Sequence, residues 1–197
     1  MSFRLGLTGS IGMGKSTTAA MFAEQGIPVW DADLAVHRLY ARFGAAVAPV
    51  ASLYPDAVVN GSIDRQTLKF WIMSDASALK QLESVVHPLV AADRTEFLRQ
   101  TTADLVVLDI PLLFENATQT DFDATLLVTA TPAVQRSRVL ARPGMTLDQF
   151  ELLRSRQMPD SQKRGLATHI VETLTKDQTR AYVVALIAFI RQGIADA

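Results

Sequence analysis

An octet near the start of the chain, Gly9-Ser10-Ile11-Gly12-Met13-Gly14-Lys15-Ser16, has the form G-x-x-x-x-G-K-[ST]. It stands between a short apolar run, Phe3–Thr8, and a helical pattern that begins at Lys15. That is the context in which such a loop cradles phosphate. Gly9, Gly12 and Gly14 let the backbone wrap tightly and turn its N–H groups, that of Met13 among them, toward phosphate oxygens. The helix that follows adds unpaired N–H groups and the positive end of its dipole, with Thr17 in its first turn. Lys15 is placed to reach the β- and γ-phosphates of ATP, and the Ser16 hydroxyl to bind Mg²⁺. The glycines run G-x-x-G-x-G, which is not the dinucleotide-binding G-x-G-x-x-G.

Three acids complete a phosphotransfer site. Asp31 and Asp33 follow the apolar segment Ile27–Trp30, at the carboxyl end of an expected strand, where ligands of open parallel sheets bind. Two apart, they share a face if the segment is extended. Asp33 is then placed to orient an acceptor hydroxyl and take its proton. Capping of the next helix by one or both aspartates is the alternative. Asp109 ends the apolar run Leu105–Leu108, the placement of an acid that helps to hold Mg²⁺. After it, Pro111-Leu112-Leu113-Phe114-Glu115 is unusually apolar for a loop. Leu112 and its neighbours either line a pocket for an apolar part of a substrate or pack in the core.

Arg136, Arg138, Arg142, Arg154, Arg156, Lys163 and Arg164 face only Asp148, Glu151 and Asp160 within their stretch, a local excess of four positive charges in a chain of net charge −1. Arginines on a helical lid that closes over a triphosphate exclude water and neutralise charge that develops during transfer. Arg142, beside the Pro143-Gly144 turn, is the first candidate for phosphate contact. Arg138 and Arg142 share a face if their helix extends that far. His37, His87 and His169 are scattered and show no metal-ligand spacing.

These groups need a frame of alternating strands and helices. Phe3–Thr8, Ile27–Trp30, Leu105–Ile110, Ala124–Thr129 and His169–Thr173 read as strands. Helices are expected over Lys15–Gln25, from Ser62 as N-cap to Met73, and over Ala76–Val86. Pro88 is expected to end that helix and open another. Further helices are expected after Thr131-Pro132, from a capping box at Thr146–Gln149, and from Thr175 onward. The fold class is therefore α/β, a P-loop NTPase-type parallel sheet flanked by helices. The 197 residues suit a single kinase domain with an inserted helical region at about 60–101 and a helical lid at about 136–165.

Composition excludes several classes. No cysteine is present, so disulfides, thiolate metal sites and a cysteine nucleophile are out, and the chain suits the cytoplasm. A net charge of −1 gives no basic excess for nucleic acid or a membrane surface. The start of the chain lacks the features of a signal peptide. The apolar run that includes Tyr182–Ile190 falls well short of the ~20 residues of a membrane span. The oligomeric state is not specified, and a monomer is compatible. Another small-molecule P-loop kinase would share Lys15 and Ser16. A GTPase-like switch usually carries Asn-Lys-x-Asp, which is absent.

Beyond spacing, the wording of the chain resembles the dephospho-CoA kinase family. The resemblance rests on Leu5–Ser16, Asp31-Ala32-Asp33, His87-Pro88, Pro111–Glu115 and Arg156-Gln157-Met158-Pro159 with Lys163-Arg164, all in family order. It implies a P-loop nucleotide core, a helical acceptor region and a mobile lid. It implies ATP-dependent phosphorylation of the ribose 3′-hydroxyl of dephospho-CoA, the last step of coenzyme A synthesis. Carried over, Asp33 matches the catalytic aspartate, Gly12–Thr17 match the ATP loop, and His87 borders the acceptor site. One stretch departs: where many members carry Ala-Asp-x-Val-Ile-x-Asn, residues 167–173 have Thr168 for the aspartate and Thr173 for the asparagine. No adenine contact is assigned there.

Overall fold

The computed structural model describes residues 2–196, which divide into two compact units. The first comprises the chain up to Trp30 together with Thr101 onward, and the second is Asp31–Gln100. The second unit thus takes in 31–59 as well as the expected insertion at about 60–101.

The first unit is built on a five-stranded sheet. Its strands are β1 (Phe3–Thr8), β2 (Val29–Asp31), β5 (Leu105–Asp109), β6 (Ala124–Thr129) and β7 (His169–Glu172), in the order β2-β5-β1-β6-β7. β1 runs parallel to both β5 and β6, and β6 parallel to β7. β5 and β6 are buried at every position, as expected of strands covered on both faces. This explains their unbroken apolar runs. Leu5, Leu7, Leu126 and Leu127 are wholly shielded from solvent, each contributing roughly 1.5–3 kcal/mol by burial. Around the sheet lie α1 (Lys15–Glu24), α6 (Pro132–Leu140), α7 (Leu147–Ser155), α8 (Asp160–Leu166) and α9 (Lys176–Ala195). The capping box at Thr146 and Gln149 forms as its spacing predicts. The apolar run Tyr182–Ile190 lies in α9, whose Val183, Leu186, Ile187 and Ile190 join the core while Phe189 is exposed. No helix among the described residues is long and apolar enough to cross a membrane.

The second unit has a core of its own. It contains α2 (Ala32–Tyr40), α3 (Val47–Leu53), the two-residue strands β3 (Val58–Val59) and β4 (Ser62–Ile63), α4 (Arg65–Ser74) and α5 (Ala78–Gln100). Val50, Leu68, Trp71, Leu82 and Val86 are buried together, and Tyr54 stacks on Trp71 with ring centroids 5.0 Å apart. Two expectations are corrected. Ser62 is not a helix cap but part of β4. Asp64 caps α4 instead, accepting from the Thr67 N–H at 2.9 Å. Nor does Pro88 divide a helix: α5 runs through it for 23 residues. His87 and Pro88 are exposed, so the Ser84 carbonyl that loses its N–H partner faces water, while Leu82 and Val86 hold the other side in the core.

Candidate functional site

The β1 strand is central, and its carboxyl end leads into the octet. Both flanking glycines are sterically required. Gly12 has φ +75°, and a Cβ there would stand 2.4 Å from Val139 Cγ2 and 3.1 Å from the Gln135 carbonyl oxygen. Gly14 has φ +95°, and its Cβ would meet Thr173 Oγ1 at 2.9 Å. An L side chain at either position would be strained and would collide. Within the loop, Met13 N–H donates to the Ser10 carbonyl at 3.1 Å. The buried Met13 side chain points inward, its sulfur 3.0 Å from the Ala130 N–H. Met13 therefore contributes backbone to the loop and its side chain to the core. Thr18 donates to the Gly14 carbonyl at 3.1 Å and closes the first turn of α1, leaving Ser16 and Thr17 exposed.

The register of β1 on β5 sets Asp109 beside Leu7, two residues before Gly9. Asp109 is wholly buried, and its Oδ1 lies 2.5 Å from Lys15 Nζ. The strand-end acid and the loop lysine are thus joined, a pairing the sequence did not specify. Their chemistry suits a hard cation. The Ser16 hydroxyl heads α1 and the Asp109 carboxylate ends β5, both oxygen donors. Mg²⁺ typically takes one or two such protein ligands beside phosphate oxygens.

Asp31 and Asp33 do not share an extended face. Asp31 caps α2, accepting from the Leu34 N–H at 3.0 Å, whereas Asp33 lies in the first turn of that helix with an exposed side chain. Of the two alternatives, capping falls to Asp31. Leu113 and Phe114 are core residues, Leu113 packing where a Cβ on Gly6 would come within 2.9 Å. Leu112 is exposed, with a left-handed φ of +59°. His87 lies on the exposed side of α5 in the second unit.

The basic segment separates into two sets. Arg138 bonds Thr173, donating to its hydroxyl at 2.9 Å and also to its carbonyl. Arg154 pairs with Glu151 at 2.6 Å, and Arg164 pairs with Asp160 and Glu172. Lys163 is fully buried against Glu115, 2.8 Å away. Arg136, Arg142 and Arg156 are exposed, with no ion pair among the described residues. α6 stops at Leu140, so Arg142 lies in the turn beyond it and shares no helix face with Arg138.

Several residues of this neighbourhood were given no role by the sequence. Thr173 donates to the Met13 carbonyl at 2.7 Å and so supports the loop. Thr168 exchanges bonds with Thr125, at 3.1 and 3.0 Å, tying the segment before β7 to β6. Gln135 donates to the Ile11 carbonyl at 2.8 Å, and Gln157 accepts from the Ile11 N–H at 3.0 Å.

A sequence profile described as dephospho-CoA kinase matches residues 3–178. The chain belongs to the dephospho-CoA kinase family. It is 62% identical over 190 residues to the dephospho-CoA kinase of Cereibacter sphaeroides, covering 96% of both chains. Among solved structures, TT1252 from Thermus thermophilus is 38% identical, with a TM-score of 0.83 over 95% of this chain and 97% of that one. Shikimate kinase from Bacteroides thetaiotaomicron, at 15% identity, has a TM-score of 0.52 over 96% of this chain and 98% of its own. That likeness concerns the fold alone, which is a P-loop kinase fold.

Proposed function

We propose that this chain transfers the γ-phosphoryl group of ATP to the ribose 3′-hydroxyl of dephospho-CoA, giving CoA and ADP, the last step of coenzyme A synthesis. One observation carries the reading: an intact phosphate loop, with Lys15 joined to Asp109, in a chain 62% identical to a dephospho-CoA kinase across nearly its whole length.

In this reading the N–H groups of Gly12 and of Gly14 to Thr17, with the Lys15 ammonium, bind the phosphates and stabilise charge as it spreads over the moving phosphoryl group, while the Met13 N–H stays bonded within the loop. Lys15 exchanges the Asp109 carboxylate for phosphate oxygens. Ser16 and Asp109 would hold Mg²⁺, which would neutralise phosphate charge. Asp33 orients the 3′-hydroxyl and accepts its proton. The ribose oxygen then bonds to phosphorus as the bond to the ADP oxygen breaks. What supports this role is that capping is already done by Asp31, so the exposed Asp33 carboxylate is not consumed by the helix. Arg142, exposed in the turn after α6, supplies positive charge toward the phosphates. The second unit, with His87, and the exposed Leu112 serve the acceptor. The segment at about 136–165 serves as the lid.

The test is ADP formation with Mg²⁺-ATP and a panel of acceptors: dephospho-CoA, adenosine, AMP, CMP, shikimate and water alone. Turnover with dephospho-CoA far above all others is expected. Preference for another acceptor would replace this substrate while leaving the phosphate chemistry in place.

A further inference from the structure

The first half of the phosphate loop is held from outside. Both backbone groups of Ile11 are engaged by side chains, its N–H by Gln157 at 3.0 Å and its carbonyl by Gln135 at 2.8 Å. The buried Ser10 hydroxyl accepts from Lys163 Nζ at 3.1 Å. The same ammonium pairs with Glu115 Oε1 at 2.8 Å, and that oxygen also accepts from the Met158 N–H at 2.9 Å. Lys163 has no solvent exposure at all. A charge so placed persists only with close partners, and here they are one residue of the loop and one carboxylate. Gln157 and Met158 form the corner between α7 and α8, and Lys163 lies within α8. Three points of that corner and helix are therefore fixed to the loop and to the segment after β5.

The two halves of the octet thus differ in kind. The Ile11 N–H already has its acceptor, so the donors open to phosphate begin at Gly12. We infer that Gln157, with Lys163 and Glu115 behind it, is a positioning residue that anchors Ser10 and Ile11 to the α7–α8 corner and so sets the geometry of the phosphate-binding half of the loop. The inference rests on the reading of this loop as the ATP site, and it makes no use of the acceptor's identity. Within the lid segment at about 136–165 it also makes the α7–α8 corner a fixed root, so lid motion belongs to the part of that segment before Gln157.

The experiment uses the full chain with Gln157→Met, which keeps the side chain's bulk and removes the amide acceptor. Calorimetry with ADP and Mg²⁺ reads the site directly. Loss of one such bond predicts binding about 3- to 10-fold weaker. Melting temperature should stay within a few degrees, because Gln157 is partly exposed. Amide exchange at Ile11 should accelerate while Met13, bonded within the loop, keeps its rate. If the chain turns over dephospho-CoA, its KM for ATP rises and its KM for the acceptor does not. If it turns over another acceptor, the ADP result still tests the anchor. ADP affinity within twofold of the parent, with Ile11 exchange accelerated, would overturn the inference, since the bond would then exist without positioning the site. Unchanged exchange at Ile11 would overturn it as well. The double variant Glu115→Gln/Lys163→Met removes the second anchor without leaving a lone buried charge. It should weaken ADP binding by at least as much as Gln157→Met, and parent-like affinity in that folded variant would also refute the anchor.

Discussion

Replacing Gly12 by alanine puts the steric account of the loop at risk in a measurable way. Gly12 and Gly144 share a φ of +75°, yet their surroundings are opposite. A Cβ on Gly144 meets nothing within 4 Å, whereas one on Gly12 stands 2.4 Å from Val139 Cγ2, and Val139 is wholly buried. The left-handed backbone costs either alanine about 1–2 kcal/mol. The collision adds about 1–3 kcal/mol at Gly12 alone. Gly12→Ala should therefore lose about 2–5 kcal/mol and Gly144→Ala about 1–2 kcal/mol. At roughly 2–4 °C per kcal/mol for a chain of this size, thermal unfolding separates the two. Gly12→Ala should also weaken ADP binding in calorimetry, because its own N–H opens the phosphate-binding half of the loop. Val139→Ala vacates the space the new methyl needs, at a cost of its own of about 2 kcal/mol. The double variant Gly12→Ala/Val139→Ala should be less destabilised than the sum of the singles by at least about 1 kcal/mol. Additive losses, or equal costs at Gly12 and Gly144, would refute the argument from contact.

Lys15→Ala should abolish turnover with the fold intact, checked by circular dichroism beside the ADP assay; retained turnover would remove Lys15 from phosphate binding. Asp33→Asn should lower kcat by ~10²-fold or more while ADP affinity holds, since general-base contributions are of that size. Equal kcat in variant and parent would contradict its role. Arg142→Ala should reduce kcat without changing the melting temperature, because Arg142 is exposed beyond the end of α6. Burial works to raise the Glu115 carboxyl, but the bonds from Lys163 and the Met158 N–H outweigh it and hold the group below its ordinary value of 4.5. The folded chain then binds fewer protons there than the unfolded chain. The stability this contributes is full above pH 4.5 and lost as pH falls through the lower folded value. In acid melts Glu115→Gln should flatten the decline of stability below pH 4.5, and an unchanged slope would show that another group carries it.

What the sequence made legible was local. The octet, the capping box at Thr146–Gln149 and the apolar runs of β1, β5 and β6 are each specified within a few residues, and each formed where expected. Asp109 was legible because a strand end and a single acid suffice to place it. Asp31 and Asp33 were read as a pair on one extended face because nothing local shows that α2 begins between them. The turn that makes the β3–β4 hairpin, Asn60-Gly61 with φ of +53° and +78°, is a strong signal that went unused between such short strands. Pro88 misled because its cost depends on which side of α5 faces water, and that is a tertiary fact. The supports of the loop were out of reach altogether. Gln157 is 146 residues from Ile11, Lys163 is 153 from Ser10 and Thr173 is 160 from Met13. Arg138 and Lys163 looked like lid charges only because their partners, Thr173, Ser10 and Glu115, are brought to them by the sheet.

The most direct test of the central claim is the product itself. Purified chain, Mg²⁺-ATP and dephospho-CoA are incubated, and the product is analysed by mass spectrometry and phosphorus NMR. The account predicts a product heavier than dephospho-CoA by one phosphate, carried as a monoester on the ribose 3′-hydroxyl, with one ADP formed for each, and none of it with Lys15→Ala. ADP formed without a phosphorylated acceptor, or phosphate found at any other hydroxyl, would contradict it.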